Sequence, residues 1–138
     1  MKKHLGSLVL ILILFGCSIE TEEKIIQIRV ANDSAFDYSN IILNNGFGDR
    51  FYGDLPAGEV SDYQYVPDAY LRPFVEFQAE GRTFTRQPFD YTGDSTIREG
   101  KYTYHYYIGY TSRNEMQLYF YLKREDDNPL SSRNFKGQ

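Results

Sequence analysis

The sequence predicts an all-β domain, an antiparallel β-sandwich of about eight short strands, with a small β-barrel as the alternative. Three observations carry this. Apolar residues recur with a period of two through most of the chain, and no segment sustains a helical period. Tyr and Phe are abundant, thirteen and ten of 138 residues, with no Trp, and flat rings suit a pleated, half-buried surface. The 11 Gly and 5 Pro are spread as punctuation between short runs, at the spacing expected of a sandwich.

The first strand starts near Ile25, where Ile26, Ile28 and Val30 alternate with Gln27 and Arg29, and ends at Asn32-Asp33-Ser34. A second runs from about Phe36 to Leu43 and stops at Asn44-Asn45-Gly46, a strong turn signal. Phe47 to Leu55 follows, broken at Pro56-Ala57-Gly58, and Glu59 to Val66 carries Ser61, Tyr63 and Tyr65 on one side. Ala69 to Ala79 sets Leu71, Val75, Phe77 and Ala79 on one face. Glu80-Gly81 turns the chain into Arg82 to Phe89, with Phe84 inward, and Asp90 to Ser95 reads as a loop.

Lys101 to Tyr110 is the most regular strand: Tyr102, Tyr104, Tyr106, Ile108 and Tyr110 share one face, Thr103, His105, Tyr107 and Gly109 the other, as pleating requires. Thr111 to Asn114 turns into Met116 to Lys123, where Leu118, Phe120 and Leu122 oppose Tyr119 and Tyr121. Residues 25–123 are thus one domain, and the polar, aperiodic residues 124–138 are expected to be a flexible tail. No gap is long enough for a helical crossover, so antiparallel pairing is expected throughout.

Ahead of this domain stand Lys2 and Lys3, an apolar run from Leu8 to Phe15, the small Gly16 and the only cysteine, Cys17. That is the grammar of a secretory signal, and the run is half the roughly 20 residues a spanning helix needs. Leu14-Phe15-Gly16-Cys17 closely resembles the lipobox of bacterial lipoproteins. The resemblance implies that residues 1–16 are removed and that the Cys17 sulfur is acylated, with palmitate or a similar fatty chain. More than one chain would hold the protein durably where a single chain does not. Residues 17–24 then form the lipidated cysteine and an acidic tether, and acidic residues so placed resemble surface-export signals of some Bacteroidota lipoproteins.

Two further stretches, Leu55-Pro56-Ala57-Gly58 and Gly100-Lys101-Tyr102-Thr103, resemble strand-entry turns of small exported bacterial lipoproteins with an immunoglobulin- or transthyretin-like β-sandwich. Over residues 25–123 the resemblance implies a fold and a location but no reaction. The location is the bacterial cell envelope, lipid-anchored, most simply at the outer membrane and facing the periplasm or the surface.

Composition narrows the function classes. The formal net charge is −4, and removal of Lys2 and Lys3 makes it more negative. Nucleic acid and anionic lipid need concentrated Lys and Arg, so no nucleic-acid partner is expected. With its one cysteine acylated the chain has neither an intramolecular disulfide nor a thiolate nucleophile. A serine triad would have to use His105 with Ser61 or Ser112, and no strand-to-helix nucleophile elbow is present. Zinc needs several His or Cys ligands, and no metal or other cofactor is expected. Calcium would draw on Asn32-Asp33-Ser34 with Asp37, Asp49 with Asp54, or Glu125-Asp126-Asp127-Asn128, none at EF-hand spacing.

The expected role is therefore non-enzymatic: a membrane-anchored binding or structural module with a protein or glycan ligand. The rings of Tyr107, Tyr119 and Tyr121 are its candidate surface, because they share a strand face with polar neighbours and Tyr favours interfaces. Alternatives are a carbohydrate-binding accessory protein and, less favoured, an envelope hydrolase using Asp90, Asp94 and Glu99.

Overall fold

The computed structural model describes residues 23–88 and 95–125. The predicted signal segment, Cys17, most of the tether, Asp90, Asp94 and residues 126–138 lie outside the described residues. Eight strands follow in chain order: β1 (Ile26–Asn32), β2 (Tyr38–Asn44), β3 (Asp49–Leu55), β4 (Gln64–Val66), β5 (Phe74–Ala79), β6 (Arg82–Arg86), β7 (Gly100–Tyr110) and β8 (Met116–Arg124). They form two four-stranded sheets, β4-β1-β7-β8 and β3-β2-β5-β6. Neither sheet closes on itself or on the other, so the architecture is a β-sandwich rather than a barrel. Among the described residues no helix is long and apolar enough to cross a membrane.

The period-two pattern explains the packing. Ile26, Ile28 and Val30 of β1 and Tyr102, Tyr104, Tyr106 and Ile108 of β7 are buried, facing Ile41, Leu43, Val75, Phe77 and Phe84 of the other sheet. Phe77 stacks on Tyr38 at 4.0 Å between centroids and meets Tyr106 edge-on at 6.4 Å. Three hydroxyls tie the sandwich together: Tyr38 donates to the Tyr106 carbonyl, Tyr52 to that of Ile28 and Tyr104 to that of Tyr70. A buried tyrosine hydroxyl usually finds an acceptor, because hiding it unpaired from water is costly.

Turn chemistry sets the connections. Glu80 and Gly81 both take positive φ, 49° and 68°, and join β5 to β6 as the two-residue hairpin that the strand twist favours. Gly46 (φ 96°) lies so close to Tyr70 that a Cβ there would fall 2.3 Å from the ring.

Four expectations are corrected. β1 and β7 pair in parallel, from Ile26 opposite Gly100 to Asn32 opposite Tyr106; the crossover between them consists of the intervening strands themselves. The fourth strand keeps only three residues, because Ser61 Oγ accepts the Val30 amide at 2.9 Å and takes the place of a ladder bond. The fifth strand begins after Pro73, which has no N–H to donate, and Leu71 is left 46% exposed. Tyr110, on the core face by parity, is 57% exposed at the end of β7.

Candidate functional site

The outer face of the β4-β1-β7-β8 sheet carries the predicted tyrosines. β7 and β8 pair antiparallel with His105 opposite Tyr121 and Tyr107 opposite Tyr119. These are consecutive rungs on one face, because residues two apart point the same way. Tyr107 and Tyr119 stack at 4.9 Å and 12° between planes, and His105 and Tyr121 at 4.3 Å and 6°. Tyr107 is 38% and Tyr121 46% exposed, while Tyr119 is half-buried. Gly109 completes the upper rung: a Cβ there would come within 3.0 Å of the Tyr119 ring, which lies across the bare backbone.

The lower rung is pinned by Asp33. Its Oδ2 accepts the Tyr121 hydroxyl at 3.0 Å and lies 2.9 Å from His105 Nδ1. Partial burial and the Asp33 carboxylate together push the Tyr121 hydroxyl above its ordinary range. Asp33 reaches this position because β1 runs parallel to β7 and its exit is fastened there, the Asp33 amide donating to the Tyr106 carbonyl at 2.9 Å. His105 Nε2 is buried and has no hydrogen-bond partner among the described residues. The imidazole thus offers no nitrogen to a ligand, and its chemical contribution is a stacking plane.

One rung further toward the start of β7, polar side chains take over. Arg29 Nε donates to Thr103 Oγ1 at 2.9 Å, and Thr103 donates to Glu125 Oε1 at 2.6 Å. Lys123 Nζ stands 3.0 Å from the other carboxylate oxygen. The Thr103 hydrogen bond, with Lys123 and Arg29 beside it, pulls the Glu125 carboxyl down to about 2 against the cost of desolvation. Arg29 also lies over the ring of Tyr63 at 4.6 Å.

The remaining candidates are accounted for locally. Ser61 Oγ accepts from Val30 and donates to the Asp62 carbonyl, Ser112 sits in an exposed turn, and neither bonds His105. Asp37 accepts the Ala57 amide, Asp54 the Asn40 amide and Asp49 the Asn44 side chain. Among the described residues no group of three or more His, Cys, Asp or Glu could hold a metal ion. Of the hydrolase carboxylates only Glu99 is described; it is exposed at the edge where Arg124 Nη2 binds its carbonyl. Asp33, His105 and Gly109 are contributors to the tyrosine face that pattern reading missed. The signal for His105 and Gly109 was their parity with Tyr107, and Asp33 had none without the parallel register.

No family model and no curated protein matches the sequence. Among solved structures the chain is similar to one described as the NMR structure of the protein from Eubacterium rectale, at 14% identity and a TM-score of 0.53. The similarity covers 78% of this chain and 98% of that one. At that identity the likeness is one of fold.

Proposed function

We propose that this protein is a lipid-anchored module of the bacterial cell envelope that binds a protein or glycan ligand on the tyrosine face of β7 and β8 and catalyses no reaction. The lipobox-like Leu14-Phe15-Gly16-Cys17 supports the anchor. The observation that carries the binding role is the pair of stacked rungs, Tyr107 on Tyr119 and Tyr121 on His105, standing on the solvent side of the sheet. Rings held in pairs lose little side-chain freedom when a ligand settles on them, and Tyr supplies apolar area with a polar tip.

Of these two ligand classes, Asp33 favours the glycan. Its carboxylate lies beside two rings, and a sugar face stacks on a ring while its hydroxyls seek such an acceptor.

The test substitutes Tyr107, Tyr119 and Tyr121 together by Ser and measures binding to a glycan array and to immobilised envelope proteins. Weakened binding with an unchanged unfolding midpoint supports the proposal. Unchanged binding overturns it, and a large fall in the midpoint would show the rings to be structural.

A further inference from the structure

The end of the sheet where the chain enters carries a second surface, on the same outer face as the tyrosine rungs but at the opposite end of the strands. β1 begins there with Ile26 opposite Gly100 on one side and Val66 on the other. The Gly100 amide donates to the Ile25 carbonyl at 3.0 Å. Ile25 is 58% and Tyr65 70% exposed, and both residues line two adjoining grooves, one leading past Gln27 and Lys101, the other past Lys24 and Pro67. An isoleucine and a tyrosine left in solvent side by side form a small apolar step with a polar tip. That is the chemistry enriched at the boundary between lipid and water.

The length of chain leading to this end says what it meets. Only residues 18–22 separate Cys17 from Glu23, so the acylated sulfur can lie no more than about 20 Å from Glu23. We infer that Ile25 and Tyr65 form a membrane-contact patch, seating the anchored domain on the lipid surface by this end. The inference rests on the lipid-anchor reading. Charge is not the driver: Lys24 is paired with Asp68 at 2.6 Å, and Lys101 stands over the Tyr63 ring at 5.6 Å. Zwitterionic lipid therefore suffices. Seated by this end with its strands upright, the domain carries Tyr107 about 20 Å farther along β7 than Lys101, at the usual rise per residue, and the tyrosine rungs stand clear of the bilayer.

The chain contains no Trp and a single cysteine, which permits a direct test. All eight strands lie within residues 26–124, so the chain from Cys17 onward retains the whole sandwich. It is coupled through Cys17 to a maleimide lipid in phosphatidylcholine vesicles, with or without brominated acyl chains. Tyr65→Trp and, at the opposite end of β7, Tyr110→Trp each supply the only Trp. Bromine is expected to quench the Tyr65→Trp emission several-fold more than that of Tyr110→Trp. Equal quenching at the two positions, or none at position 65, overturns the patch. The anchor is tested separately by the mass of protein taken from cells: an unmodified Cys17 thiol overturns the anchor reading and this inference with it.

Discussion

Asn32 closes β1 and organises the loop that follows. Its amide nitrogen donates to the carbonyls of Phe36 and Leu55, at 2.7 and 3.0 Å, while its oxygen accepts from the Ser34 amide and hydroxyl. The side chain is fully buried, so without it the Leu55 carbonyl and the Ser34 amide would be hidden from water and lack that partner. Asn32→Ala should therefore cost about 3 kcal/mol, the scale of leaving buried polar groups unpaired. Asn32→Asp is the sharper variant, because it turns the donor into an acceptor facing two carbonyl oxygens. Chemical denaturation should rank wild type above Asn32→Ala, with Asn32→Asp no better than Ala. An Asp variant as stable as wild type would refute the donor role. Since Asp33 follows directly, loosening Asn32 should also release the clamp on Tyr121 and His105.

β1, β7 and β8 are joined on their outer side by the carboxylate of Glu125, held by Thr103, Arg29 and Lys123. Its folded value, about 2, lies below the ordinary 4.5. The stabilisation it brings is therefore complete above 4.5 and is lost as pH falls through that value toward 2. Glu125→Gln should lower stability by about 1 kcal/mol at neutral pH and flatten the decline across that window, as read by unfolding midpoints along a pH series. An unchanged acid slope in the variant would contradict this account. The strands themselves were legible because alternation reports a half-buried surface directly, and β7 and β8 stood out because both faces alternate without a break. Their pairing also placed Tyr107, Tyr119 and Tyr121 on one face. The parallel neighbour of β7 was not legible, because period two records which side of a strand is buried and is silent on which strand lies beside it. Asp33, reached only through that register, was hidden for the same reason. Pro73 marks the late start of β5, because its nitrogen carries no hydrogen for the ladder.

Across the whole molecule, a sandwich without Trp is held by aromatic rings that fill the interior, and the hydroxyls of Tyr38 and Tyr52 reach backbone carbonyls of the opposite sheet. Phe77 lies at the centre, against Tyr38, Phe84 and Tyr106. Phe77→Ala should cost about 4 kcal/mol, a transfer loss plus a cavity that close-packed neighbours cannot fill. Tyr38 makes the finer test, because burial pushes its hydroxyl up to about 12 from the ordinary 10.0. A group raised in the folded state stabilises fully below its unfolded value, and that contribution is lost as pH climbs from 10 through 12. Tyr38→Phe removes the titrating group and the bond to the Tyr106 carbonyl. That carbonyl keeps the Asp33 amide as a partner, so the loss at neutral pH should stay near 1 kcal/mol. The variant should begin below wild type and converge with it between pH 10 and 12. Curves that stay parallel through that range would show that the Tyr38 hydroxyl is not held neutral between the sheets.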